Sequence, residues 1–202
     1  MLKLAIKVNT KPVEKMLAGL SDAIKGNAIR EAVNKAAAKG NTEMKRRIKD
    51  EFNLPAGEIG NHLDVVKAGN RFGAITATIL ALPKRRGRRA RNVIEFLERK
   101  VTLAEARKRL KSGTRNVMRY EIRRGRKVTI PGSFIVTANR GTFVAQRVGK
   151  ARLPIQSVQT IDVPQMFNTK RINREVVRKL EQEFLPQEID RAIQYALKRY
   201  AK

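Results

Sequence analysis

Residues 128–167 read VTIPGSFIVTANRGTFVAQRVGKARLPIQSVQTIDVPQMF, and this stretch decides the fold class. Residues 133–138 and 142–148 are rich in β-branched and alternating apolar side chains, and Asn139, Arg140 and Gly141 stand between them as a turn. That is the pattern of an antiparallel hairpin. Just upstream, residues 117–122 and 127–130 flank Arg123-Arg124-Gly125-Arg126, which predicts a second hairpin closed by a tight basic turn.

Outward from this sheet the period changes. Toward the N-terminus, Leu2, Leu4, Ile6 and Val8 alternate as a first strand. From Thr10, a candidate N-cap, Val13, Met16, Leu17, Leu20 and Ile24 recur at helical steps, with Pro12 tolerated in the first turn. Residues 28–52 continue as an amphipathic helix on Ile29, Val33, Ala36, Ala37, Met44, Ile48 and Phe52, where Gly40 either interrupts the helix or permits close packing. Pro55, Gly57 and Gly60 mark a turn, and residues 63–67 and 71–82 read as strands around Ala68-Gly69-Asn70. Asn92 is placed to cap a short helix through Val93, Ile94, Phe96 and Leu97, and residues 102–110 form another helical pattern. Toward the C-terminus, Ile172, Val176, Leu180 and Phe184 fall at four-residue spacing, and Ile189, Ile193 and Leu197 repeat it. Pro186 between them predicts a break near Leu185. The fold class is α+β: N-terminal helices packed on an antiparallel sheet, with C-terminal helices.

With 202 residues and 42% apolar content, the chain can bury one core, and we read a single domain with a basic loop or insertion at residues 84–127. The absence of cysteine excludes disulfides, thiolate metal sites and a thiol nucleophile. The longest apolar run, residues 72–83, is shorter than the roughly 20 residues of a membrane span. The N-terminus lacks the small-residue cleavage site of a secretory signal.

Charge is the second informative feature. The chain holds 45 Lys and Arg against 18 Asp and Glu, a formal net of +27. Residues 84–127 alone contribute 18 Lys or Arg and 4 Glu, a local net of +14. Such an excess implies a polyanionic neighbour, either nucleic acid or an acidic protein surface. Lys84, Arg85, Arg86, Arg88, Arg89 and Arg91, with Arg123, Arg124 and Arg126 of the basic turn, are the candidate contacts. Arginines can meet phosphates without base-specific geometry, whereas the bland reading of the loop is a solvated surface or one docked on acidic partner subunits.

Catalytic patterns are weak. His62 is the only histidine, and the local acids near it are Glu58 and Asp64; a surface or loop histidine is the simpler reading. Ser133 lacks the flanks of a nucleophile elbow and has no second histidine as a base. No Walker loop or dinucleotide fingerprint is present, and no cofactor is called for. A nuclease would need clustered carboxylates, and those here are scattered. A stand-alone nucleic-acid-binding protein is the main rival to the assembly role described next; it is supported by the basic pI but by no reader motif.

Four pieces of the opening stretch carry a resemblance in order and spacing: Ile-Pro-Gly-Ser-Phe-Ile at 130–135, the strand at 144–147, Ala-Arg-Leu-Pro-Ile at 151–155 and Val-Pro-Gln-Met-Phe at 163–167. Through them the chain resembles the phage minor tail protein Z (tail completion) family. Val93-Ile94-Glu95-Phe96 also looks like a family element, residues 97–115 diverge, and the first 80 residues match mainly by helix-then-strand order. The resemblance implies a structural virion protein, not an enzyme, assembled in the host cytoplasm at the head-proximal end of a tail. It implies a ring, six copies by tail symmetry, that meets neck or connector, tail terminator or tail tube proteins and lets double-stranded DNA pass or be held, with no membrane partner. Phe134, Phe143, Arg147, Arg152, Pro154 and Ile155 of the block are the candidate subunit-interface residues.

Overall fold

The structure is a computed structural model that describes residues 2–7, 15, 17, 19, 21–69, 75–82, 91–98, 118–138, 141–149 and 151–200. The chain gathers into two compact units, Met1–Ile48, Gly57–Lys84 and Val163–Lys202 forming one and Lys49–Ala56 and Arg85–Asp162 the other. Each is described by itself.

In the first unit the alternating N-terminal residues form β1 (Leu2–Lys7). The apolar runs on either side of residue 70 form β2 (Leu63–Val66) and β3 (Thr76–Ala81). All three pair antiparallel with β3 in the centre, Leu4 opposite Ile79 and Leu63 opposite Ala81. Paired along both edges, β3 buries Ala77, Ile79, Leu80 and Ala81.

Helix α1 (Asp22–Glu51) runs for 30 residues. It starts earlier than the 28–52 pattern predicts: the Ser21 carbonyl accepts from the Ile24 and Lys25 amides, and Asp22 complements the dipole of the first turn. Of the helix expected from Thr10, Ile24 lies on α1 and Leu17 is buried; most of the remaining residues lie outside those described. The buried stripe Ile29, Ala32, Val33, Ala36, Ala37, Gly40, Glu43, Met44 and Ile48 keeps the three-and-four spacing. Gly40 does not interrupt the helix. A β-carbon there would stand 2.7 Å from Leu180 Cδ2, so its role is close packing. α2 (Ala56–Gly60) fills the Pro55–Gly60 turn.

The C-terminal part holds α3 (Val163–Phe167), α4 (Lys170–Lys179), a π turn at Leu180–Phe184 and α5 (Leu185–Tyr200). The predicted break near Leu185 does not occur. The Leu185 amide bonds to the Leu180 carbonyl, five residues back. A wider π turn lets the helix pass a proline that would clash with an ordinary turn before it.

Acids tie these helices together. Glu43 of α1 accepts from Arg46 and Arg47, at 2.7 and 2.9 Å, and from Lys179 of α4 at 3.1 Å. Arg47 also reaches Glu175 at 2.6 Å. Glu188 of α5 pairs with Lys39 of α1 at 2.6 Å and with Arg191 at 2.7 Å. The hydrogen bond from Arg46, aided by Arg47 and Lys179 against the cost of burial, lowers the Glu43 pKa to about 2. Lys39 likewise lowers that of Glu188.

In the second unit β5 (Arg119–Arg123) and β6 (Arg126–Thr129) form the predicted basic hairpin. Asn53 donates to the Ile122 carbonyl and Arg124 to that of Glu51, so residues 51–53 line its edge. The stretch at residues 128–167 forms β7 (Ser133–Ala138), β8 (Gly141–Arg147) and β9 (Ile155–Ser157), antiparallel in that order. β10 (Gln159–Thr160) pairs with β4 (Arg91–Asn92). Asn92 caps the turn at Val93–Phe96 as its sequence predicts, although the turn is a 3-10 helix. Its Oδ1 accepts from the Ile94 and Val144 amides, and its Nδ2 donates to the Val144 carbonyl and Ser157 Oγ. Val93, Met118, Tyr120 and Val144 form a buried cluster beside it. The 102–110 helix expected from sequence lies outside the described residues. Helices plus antiparallel sheets make the fold α+β.

Two outcomes test this packing. Gly40→Leu should destabilise the protein in urea titration, because overpacking of about 1–3 kcal/mol exceeds the roughly 1 kcal/mol gained in helix propensity; an unchanged or stabilised variant would contradict the contact. Glu43 has a folded-state pKa depressed to about 2 from 4.5. Its contribution is therefore fully present above pH 4.5 and lost as pH falls toward 2. Glu43→Gln should weaken folding at pH 7 and flatten that acid limb; an unchanged limb would show that Glu43 is not held by its cations.

Candidate functional site

The tip of the β5–β6 hairpin is built by Gly125, whose φ of +75° gives the tight turn its left-handed residue. Around it Arg123, Arg124 and Arg126 are exposed. Arg123 lies over the Phe52 ring, 5.6 Å from its centroid, and 3.9 Å from Glu51. Arg124 Nε donates to the Lys49 carbonyl at 2.6 Å. Glu121, the acid of the strand, accepts from the Gly125 amide at 2.8 Å, and Lys127 pairs with Glu98. The backbone thus gathers three guanidinium groups at one tip.

Of the other predicted contacts, Lys84, Arg85, Arg86, Arg88 and Arg89 lie outside the described residues. Arg91 is not a surface cation. Its side chain is buried, with Nε donating to Asp162 Oδ1 at 3.2 Å and Nη1 to Glu95. The β4–β10 pairing sets Arg91 opposite Thr160, two residues from Asp162. The sequence held a signal for this: Glu95 stands four residues after Arg91, a spacing at which opposite charges meet in helical turns.

The six interface candidates lie on the β7–β8–β9 sheet and the turn joining its last two strands. Arg147 sits 5.4 Å from the centroid of the Phe134 ring and donates to the Ala151 carbonyl at 3.4 Å. Ile155 faces Arg147 in register. Phe134, Phe143 and Ile155 are half-buried, while Arg147, Arg152 and Pro154 are exposed. Sequence reasoning missed Val148 and Leu153 in this turn, 62% and 67% exposed. Alternation does not reveal large apolar side chains outside a strand.

His62 stands in the turn before β2, a loop histidine as expected, but it is not on the surface. It is 2% exposed, its Nδ1–H donates to the Leu82 carbonyl at 2.8 Å, and its own carbonyl accepts from the Leu82 amide. The histidine fastens the end of β3. Ser133 Oγ donates to the Ile130 carbonyl at 2.7 Å and meets the Tyr120 hydroxyl at 3.1 Å; burial pushes the Tyr120 phenol up. A groove of about 550 Å³ between α1 and α5 contains Glu31 and Glu188, but Lys35 pairs with the first, and Lys39 and Arg191 with the second. Among the described residues no group of His, Asp or Glu is placed to hold a metal ion, and no helix is long and apolar enough to cross a membrane.

The described residues thus present exposed guanidinium groups and an exposed apolar turn on an α+β frame. The family model described as prophage minor tail protein Z (GPZ) matches residues 11–202, and the chain belongs to that family. Membership makes it a phage minor tail protein, a structural component of the virion that meets other virion proteins. No curated protein and no solved structure matches it.

The two kinds of arginine should separate in urea titration. Arg91→Ser breaks the buried Arg91–Asp162 pair and should cost about 3–5 kcal/mol, whereas Arg126→Ser should stay within about 0.5 kcal/mol of wild type. Equal losses would contradict the assignment of Arg91 to the interior.

Proposed function

We propose that this chain completes the tail at its head-proximal end. Six copies form a ring that joins the tail to the neck, and double-stranded DNA passes through or is held there. Family membership together with the exposed cluster Arg123, Arg124 and Arg126 carries this reading. In this role no bond is made or broken. Chemistry is limited to assembly and electrostatics: the β7–β8–β9 sheet with its apolar turn supplies subunit contacts, and the basic stretches meet packaged DNA or acidic neck and tube surfaces.

The physical logic rests on the surplus of +27. A ring concentrates that charge, and like-charged subunits repel unless a polyanion neutralises them. Phosphates do so with release of counterions, so DNA contact should weaken steeply with salt.

Replacing Arg85, Arg86, Arg88 and Arg89 with Ser tests the loop. We expect a protein that melts with the wild type and enters particles, but gives particles that lose titre or retain DNA poorly. Normal titre and DNA retention would overturn the role of the loop. A chain that is monomeric on gel filtration and absent from purified particles would favour a free nucleic-acid-binding protein instead.

A further inference from the structure

We propose that the outer face of α4 is a phosphate-backbone contact for double-stranded DNA, separate in residues and in unit from the basic hairpin. Lys170, Arg174 and Arg178 are all exposed on this helix. Their four-residue spacing sets successive cations about 6 Å apart along the helix axis and on one side of it.

The opposite side of the helix is committed inward. Ile172 and Val176 are buried, Lys179 turns to Glu43 at 3.1 Å, and Glu175, the acid of this helix, is held by Arg47 at 2.6 Å. The acid of the segment therefore leaves the outer face to the cations, up to Glu181 in the π turn. Lys170 also stands in a first turn that holds no acid, where the helix dipole opposes a cation. Local stability does not account for a cation at that position.

The absence of apolar surface favours DNA over an acidic protein. Protein interfaces concentrate binding in buried aromatic and apolar anchors. The exposed large apolar side chains among the described residues are Val66, Val128, Ile135, Val148, Leu153, Tyr195, Leu197 and Tyr200, none of them on α4. A face of flexible cations alone suits phosphates, which need charge and reach but no shaped pocket. The contact would be independent of base sequence.

The inference shares with the proposed function the expectation that this chain meets DNA, and the experiment keeps the two apart. Purified full-length protein is titrated into a fluorescent duplex of arbitrary sequence at several salt concentrations. It is compared with Lys170→Gln/Arg174→Gln/Arg178→Gln and with Arg123→Gln/Arg124→Gln/Arg126→Gln. Glutamine retains helix propensity, and matched thermal melts establish that both variants fold. We expect the α4 variant to bind more weakly, with its log–log salt slope shallower by about 2–3, the value for three lost phosphate contacts. Unchanged affinity and slope in the α4 variant, with the hairpin variant weakened, would overturn this inference and leave the hairpin reading intact. Loss of polyglutamate binding without loss of duplex binding would assign the face to an acidic protein and also overturn it. A wild-type chain that binds no duplex would sink both.

Discussion

Eighteen carboxylates have to hold forty-five cations in this chain, and much of the structure follows from how the acids are placed. Like-charge repulsion opposes compaction, so an acid stabilises most where it gathers cations that would otherwise face one another. Glu43 lies among Arg46, Arg47 and Lys179, and Glu188 lies between Lys39 and Arg191. Two of these pairs connect α1 to α4 and α5 across long sequence distances. Asp162 and Glu95 hold Arg91 in the same manner in the second unit. Buried ion pairs add little over apolar packing, but removal of one member strands the other, which makes each acid hard to replace. Among the described residues, exposed cations gather at the hairpin tip and on the outer side of α4.

Much of the architecture is legible in the sequence because it depends on local periodicity. The antiparallel hairpin at residues 133–147 follows from two alternating runs around a glycine turn, and the basic hairpin from Gly125. Asn92 is read correctly as a cap because an asparagine just before the apolar run Val93, Ile94 and Phe96 can accept from a free amide of the first turn. The features not legible depend on neighbours remote in sequence. Arg91 lies next to a run of surface-like arginines, and only the β4–β10 pairing brings it to Asp162. His62 has a polar context yet is buried by a bond to Leu82, twenty residues away. β9 and β10 are too short to show a period. Pro186 is a sound signal for a break, but a π turn accommodates it, and nothing local distinguishes the two outcomes.

The candidate site divides in the same way. Arg123, Arg124 and Arg126 are adjacent in sequence and adjacent on the hairpin, so the charge count located them. The α4 stripe escaped a count by segment because Lys170, Arg174 and Arg178 are spread among apolar and acidic residues, and only their angular placement aligns them. The exposed Val148 and Leu153 belong to an irregular turn, where sequence gives no face. Under the proposed role, the apolar turn meets protein neighbours and the exposed cations meet a polyanion.

The central claim is that this chain completes the tail as a ring at its head-proximal end. A cryo-electron reconstruction of the neck region of the particle tests it most directly. The account predicts density for this chain as a closed ring between the portal side and the tail tube, with the arginines of residues 123–126 directed toward DNA or an acidic neighbour. Absence of the chain from that position in intact, infectious particles would contradict it.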